Sequence, residues 1–288
     1  MYVIAGVTGN TGSVVADALL SKGKKVRVIV RDASKGEAWR KKGAEVAVAT
    51  LDDAKSLAAA LAGAQSAYLL SPPDLASNSF LAERRKTADA IAEAIDAAHV
   101  PHVVFLSSIG AQHESGTGII ASVAYAERRL AKTSAKTTFL RAGAFVENFA
   151  AVLPAAKNGV LPSFVPADIA IPTVATQDIG AAAANALLEG PPAGKTQIIE
   201  LAGPRDLSAN DVAQILSKIV GKPVAVQVGP TSAVVPTYTG YGISADVADL
   251  FRGMYVGMAD GKVAFEGNGA RLLRGSTEAE TSFRKLLG

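Results

Sequence analysis

The sequence predicts an α/β protein: a doubly wound parallel sheet with a smaller α/β lobe on its carboxy-terminal side. Three observations carry that expectation. Through about residue 141, short apolar runs alternate with helical patterns, the beat of right-handed βαβ crossovers. The runs are almost continuously apolar, as in strands covered on both faces. A glycine turn, Gly6 to Gly12, joins the first run to the first helical pattern.

The elements follow in order. Tyr2 to Ala5 is the first strand. The helix after it carries Val14, Val15, Ala18 and Leu19 on one face and stops at Gly23, a C-cap position. Lys25 to Val30 is β-branched and reads as a strand. A short helix over 34–42 closes at Gly43. Glu45 to Ala49 is the third strand and the Ala-rich 54–62 a helix. Ala67 to Leu70 is the fourth strand, stopped by Ser71-Pro72-Pro73. A long helix from Ser79 to Ala98 leads to the fifth strand, His102 to Leu106. A helix near 119–133 and a strand from Thr137 to Arg141 complete the series.

After about residue 142 the beat breaks, and Pro154, Pro162, Pro166 and Pro172 punctuate a looped stretch. Helices are expected near 177–189, 208–220 and 244–257, with strands at Gln197 to Leu201 and Val224 to Val228. Ser208 is the N-cap and Gly221 the stop of the middle helix. No Ser/Gly-rich linker separates the halves. The division expected is therefore a dinucleotide-binding domain, 1–145, with a substrate lobe, 146–288, packed directly on it.

Composition narrows the function. Zero cysteine among 288 residues excludes disulfides and thiolate chemistry, and three histidines leave little for a transition-metal site, so no metal is expected. A net charge of +3, from 29 basic and 26 acidic residues, is no nucleic-acid signature. No apolar run approaches the roughly 18 residues of a membrane span. The amino terminus lacks the basic flank of a signal peptide, and a cytoplasmic protein is expected.

The glycine turn reads Gly6-Val7-Thr8-Gly9-Asn10-Thr11-Gly12. Glycine permits the tight turn, lets backbone approach a pyrophosphate, and lets helix pack close to strand. The helix N-terminus then offers unpaired N–H groups and a positive dipole end to phosphate. Gly6, Thr8, Gly9, Asn10, Thr11 and Gly12 are therefore the expected cradle of a Rossmann-type domain. Arg31 stands 19 residues after Gly12, where a fold reading NAD(H) places an acid. A guanidinium there pairs a 2′-phosphate, with Lys35 as a second cation, so NADP(H) is favoured over NAD(H). Asp32 complicates this, because it can face the ribose instead. Ligands of open α/β sheets bind beyond the carboxyl ends of the strands. That selects Ser71 and Pro72, Ser107 and Ser108, and Gly143, Ala144 and Phe145.

The spacing GxxGxxG, the strand VRVIVRD, the stretches HVVFLSSIGA and TFLRAGAFVENF, and the closing GARLLRGSTEAETSFRKLLG resemble the NmrA-like branch of the atypical short-chain dehydrogenase/reductases. The resemblance extends to its type 2 quinone oxidoreductases, azoreductase-like proteins and NADP-sensing regulators. It implies the same cofactor positions, with the turn after the sixth strand beside the nicotinamide. In that branch an Asp often meets the adenine after the third strand. Here Thr50 and Leu51 occupy that place.

Wider relatives use a Tyr-x-x-x-Lys pair, in which the ammonium lowers the tyrosine pKa. None exists here. Tyr125 with Arg129 is the local candidate, and Val123 stands where relatives place Lys or His. His113, in the loop after the fifth strand, is a second candidate acid. Asn148 is a candidate donor to a carbonyl oxygen. Phe145, Phe149, Phe164 and Val165 are expected to make an apolar slot for a flat ring. Two functions fit: hydride transfer from NADPH to a quinone-like acceptor, which needs little acid catalysis and no flavin, or an NADP(H)-binding redox sensor. The expected partner is a small molecule, with neither nucleic acid nor membrane involved. A homodimer is compatible with the sequence.

Overall fold

The computed structural model describes residues 1–288. Strands and helices alternate as β1 (Tyr2–Ile4), α1 (Gly12–Ser21), β2 (Val26–Val30), α2 (Glu37–Lys41), β3 (Glu45–Val48), α3 (Ala54–Leu61), β4 (Ser66–Leu69), α4 (Phe80–Ala97), β5 (His102–Ser108), α5 (Ala121–Leu130) and β6 (Lys136–Ala142). There follow β7 (Ala144–Phe145), α6 (Leu153–Lys157), β8 (Val160–Ser163), β9 (Thr173–Val174), α7 (Thr176–Glu189), β10 (Thr196–Ala202) and α8 (Ala209–Val220). β11 (Ala225–Val228), α9 (Val234–Gly240), α10 (Ala245–Ala259), β12 (Arg271–Arg274) and α11 (Ala279–Leu287) complete the chain.

Eight strands form one sheet in the order β12-β10-β6-β5-β4-β1-β2-β3, and every neighbouring pair is parallel. Alternate residues point to opposite faces, so each strand supplies two cores. Tyr2, Ile4 and Val104 join Val15 and Leu19 of α1 and Ile179 and Ala183 of α7 on one side. Val3, Val103 and Phe105 join Leu57 of α3, Ile91 and Ile95 of α4 and Leu130 of α5 on the other. Burying each such large side chain contributes roughly 1.5–3 kcal/mol, which is why both faces must be covered. This is the doubly wound Rossmann-type sheet that the apolar strands predict.

The second half is not a separate layer. β10 and β12 extend the sheet beyond β6, and α7 lies against α1, where a Cβ on Gly180 would stand 2.5 Å from Val14 Cβ. A cut at residue 145 therefore passes through a shared sheet. The remainder forms a smaller lobe around the parallel pair β8–β11, with α6, α8 and α11 burying Leu153, Leu216 and Phe283. α9 and α10 cover the loop after β5. A Cβ on Gly118 would fall 2.0 Å from the Leu250 carbonyl oxygen, and one on Gly257 2.5 Å from that of Gly116. No helix is long and apolar enough to cross a membrane.

Candidate active site

The sheet order reverses between β1 and β4, which neighbour each other although β2 and β3 intervene in sequence. The crevice at such a switch point is where ligands of open α/β sheets bind. The glycine turn opens onto it. Gly6 has φ +69°, and a Cβ there would meet Leu70 Cδ2 at 2.5 Å. A Cβ on Gly12 would meet the Ala5 carbonyl oxygen at 2.4 Å. Gly9 has more room and donates its N–H to the Gly6 oxygen at 2.9 Å. Thr11 is the N-cap of α1 but makes no side-chain cap. Its buried Oγ1 instead accepts from the Tyr68 hydroxyl at 3.0 Å. The first N–H groups of α1 are left without a side-chain partner, and Thr8 and Asn10 are exposed beside them.

Beyond β2, Arg31 and Lys35 are exposed. Nearby cations are engaged, Arg27 with Glu45, Arg40 with Glu37 and Lys42 with Asp17, whereas Arg31 and Lys35 enter no ion pair. Asp32 serves the local turn through one of its oxygens. Its Oδ1 accepts from Ser34 N–H at 2.8 Å, capping the turn at 33–36. That backbone donor, with help from the Ser34 hydroxyl, holds its carboxyl below the usual range. Thr50 and Leu51 are half-buried just past β3, and Asp53 caps α3.

At the end of β4, the Ser71 hydroxyl is buried with no partner. The Pro72 carbonyl accepts from Arg84 Nη1 at 2.8 Å. The loop after it is tied to the lobe: Ser244 N–H donates to Leu75 at 2.9 Å, and Phe80 N–H to Asp246 Oδ2 at 2.8 Å. The loop after β4 and the start of α10 are thus strapped together.

Ser107 and Ser108 close the carboxyl end of β5. Ser107 donates to Glu127 Oε1 at 2.6 Å, so its hydroxyl is committed inside the protein. Glu127 is gripped by Arg141 through Nε at 2.9 Å and Nη2 at 2.7 Å, and Arg141 also reaches Glu266 at 2.7 Å. The Arg141 and Glu127 side chains are only 5% and 7% exposed. Ser108 donates to the Ile109 carbonyl at 3.1 Å. Each hydroxyl thus spends its hydrogen inside the protein and retains only acceptor capacity. After β6, Gly143 is required, because a Cβ would lie 2.4 Å from the Pro172 oxygen. Ala144 and Phe145 form β7, paired with β9, and Phe145 is half-buried.

The acid candidates do not converge. Tyr125 donates to Asp89 Oδ1 at 3.1 Å, and Arg129 Nε donates to the same oxygen at 3.0 Å. Burial and the neighbouring Asp89 push its phenol pKa up. Two residues along a helix is about 200° of rotation, so Tyr125, the expected proton donor, faces α4 while Val123 faces the cluster around Ile109. His113 is exposed, and its backbone N–H donates to the Gly110 oxygen at 3.2 Å. Asn148 is exposed on a 3₁₀ segment. Phe149 does not line a slot, since it packs edge-on against Phe283 at 5.7 Å in the lobe core. Val165 is buried in the cluster that holds Ile109 and Ala111, and Phe164 stands against Tyr238 and Tyr255. No group of three His, Asp or Glu side chains is placed to hold a metal ion.

The sequence gives no local signal for the Glu127–Arg141–Glu266 grip, whose members come from α5, β6 and a distant loop. Nor does it signal the tyrosine pair beside Phe164.

Comparison with known proteins agrees with this architecture. Residues 2–258 match the NmrA-like family. Quinone oxidoreductase 2 of Escherichia coli (strain K12) is 29% identical over 266 residues, spanning 91% of this chain and 89% of the relative. An NAD(P)H azoreductase of Xenophilus azovorans is 25% identical over 255 residues, 88% and 86% of the two chains. The crystal structure of an NADPH-dependent quinone oxidoreductase from Escherichia coli, complexed with NADPH, superposes with a TM-score of 0.83 at 26% identity over the whole of both chains. A match over 257 of 288 residues, together with the switch-point turn and the parallel sheet, places the chain in the NmrA-like family.

Proposed function

We propose that this protein is an NADPH-preferring reductase that delivers hydride to a quinone-like, flat small-molecule acceptor. The observation that carries the reading is the switch-point cradle: Gly6 and Gly12 leave no room for a Cβ, and the first N–H groups of α1 lack side-chain partners. The orphaned Ser71 hydroxyl at the rim also fits a polar ligand. The similarity to a quinone oxidoreductase and an azoreductase supports the chemistry.

NADPH, when bound, supplies a hydride from its nicotinamide ring. Gly6, Thr8, Gly9, Asn10, Thr11 and Gly12 would hold the pyrophosphate, with N–H groups and the α1 dipole opposing its charge. Arg31 and Lys35 would hold the 2′-phosphate, and Thr50 and Leu51 would border the adenine. Ser71 and Pro72, the backbone at Ser107 and Ser108, and Gly143 to Phe145 would border the ribose and nicotinamide. Residues 1–145 with α7 would thus form the cofactor side, and the lobe within 146–288 the acceptor side. A quinone needs orientation and exclusion of water more than an acid, which suits a site whose Tyr125 is tied to Asp89. The proposal places the protein in the cytoplasm, where NADPH is available, and is compatible with a homodimer.

The test is NADPH consumption by purified, flavin-free protein with a panel of quinones, run beside NADH. Turnover preferring NADPH is expected. Saturable NADPH binding with no turnover on any acceptor would replace the reading with a redox sensor. The missing Tyr-x-x-x-Lys pair, with Tyr125 tied to Asp89, is what favours that second reading.

A further inference from the structure

Every arginine except Arg31, Arg84 and Arg85 stands in an ion pair. Arg85 lies over the Tyr125 ring at 5.5 Å. Arg84, one turn into α4, is held by a single hydrogen bond, from Nη1 to the Pro72 carbonyl at 2.8 Å. Its Nε is sealed from solvent with no partner, whereas Nη2 makes no bond and is not sealed. The acids nearby are engaged elsewhere: Asp74 accepts from Ala76 N–H, Glu83 from the Ser79 hydroxyl and Asp246 from Phe80 N–H. One bond to a carbonyl needs only a neutral donor. A half-buried guanidinium without a carboxylate carries a desolvation cost that a neutral side chain would avoid. Tying down the loop therefore does not account for the charge.

The Pro72 bond fixes where this cation stands. Pro72 follows β4, the strand beside β1 at the switch point. A Cβ on Gly6 would meet Leu70 Cδ2 at 2.5 Å, so the end of β4 runs against the glycine turn. On the other side β5 and then β6 follow, and the turn after β6 is the expected nicotinamide neighbour. Two strand spacings, about 10 Å, separate β4 from β6, within reach of a substituted two-ring acceptor. The same loop is strapped to the lobe through Leu75 and Ser244. A second polar atom at this point, Ser71 Oγ, is also sealed without a partner.

We propose that Arg84 is a specificity residue, an anion subsite for an acidic substituent, carboxylate or sulfonate, on the acceptor; this rests on the reductase reading above. Nη1 keeps its bond to Pro72, which holds the guanidinium in place, and the free Nη2 edge meets the anion. The cofactor's own phosphates have other partners in that reading: the glycine turn for the pyrophosphate, Arg31 and Lys35 for the 2′-phosphate. The substituent lies away from the reacting ring, so its contact with Arg84 is the same before and during hydride transfer. Such a contact lowers KM and leaves kcat unchanged.

The test compares 1,4-naphthoquinone with 1,4-naphthoquinone-2-sulfonate in the wild type, Arg84→Gln and Arg84→Lys. Glutamine keeps a donor for Pro72 without the charge, and lysine keeps the charge. Arg84→Gln is expected to raise KM for the sulfonate about tenfold, with kcat, KM for the neutral quinone and NADPH affinity all within about twofold of the wild type. Arg84→Lys should restore most of the loss. An equal effect on both quinones, or none on either, overturns the proposal, and a fall in NADPH affinity instead assigns Arg84 to the cofactor. Should Arg84→Gln not fold, the wild type decides: added salt must raise KM for the sulfonate and not for the neutral quinone. If the wild type turns over no acceptor, the reductase reading fails separately. Titration of the NADP⁺-saturated protein with the sulfonate then decides: weaker binding in Arg84→Gln supports the anion subsite, and unchanged or absent binding overturns it.

Discussion

Arg31 and its neighbour Asp32 differ in how much their sequence position says about them. Its distance from Gly12 and its charge point to a 2′-phosphate before any fold is known. Asp32, one residue on, is ambiguous until its bond to Ser34 N–H shows that it serves the turn. Arg31→Ala is expected to weaken NADPH binding roughly 30-fold, the loss of one charge-assisted contact, and NADH binding less than about twofold. Isothermal titration of both nucleotides checks this; equal losses would remove Arg31 from the phosphate site. Tyr125 is the opposite case. Its residue type suggests chemistry, but a shift of two positions along α5 turns it toward Asp89. The tyrosines beside Phe164 are as invisible in sequence, since nothing local brings Phe164, Tyr238 and Tyr255 together.

Elements were most legible where apolar runs alternate with helical patterns. β1 to β6 and the helices between them fall within about three residues of the expected bounds, because apolar strands and helices end at glycine, proline or a cap. Two misses have separate causes. β12 is an edge strand reading Arg-Leu-Leu-Arg with Leu272 exposed, so it lacks the apolar continuity of a central strand. α6 carries Pro154 in its first turn, which marks a break in sequence but is tolerated there because the missing N–H would have had no helical partner. The strongest coupling between elements is the Glu127–Arg141 pair, joining α5 to β6 and, through Ser107 and Glu266, to β5 and the lobe. Removing one partner strands a buried charge. Arg141→Met is expected to cost about 3–5 kcal/mol in urea unfolding, and adding Glu127→Leu to recover part of that loss. A double variant as unstable as the sum of the singles would mean that the two charges do not act as a pair.

At the scale of the whole molecule, stability should carry an acid limit set in the sheet. His102 is fully buried between Ser66 Oγ and Thr138 Oγ1, at 3.2 and 3.1 Å, and burial pushes its pKa down to about 4. The unfolded chain takes up that proton near pH 6.5 and the folded chain refuses it. The stabilising difference is complete above about pH 6.5 and is lost as pH falls toward 4, by about 2 kcal/mol at pH 5. Urea titrations at pH 7 and pH 5 should show this loss, and His102→Gln should remove its share. The strand order has another outcome, which concerns the nascent chain. β6 spans residues 136–142, but its outer neighbour β10 spans 196–202. During synthesis at roughly 5–20 residues per second, β6 emerges several seconds before the strand that covers it. For that interval a seven-residue edge containing Thr138, Phe139 and Leu140 lacks its outer partner, the kind of edge that recruits another chain. Slower elongation between residues 142 and 196 would lengthen the exposure, and a chaperone that shields strand edges would matter most there.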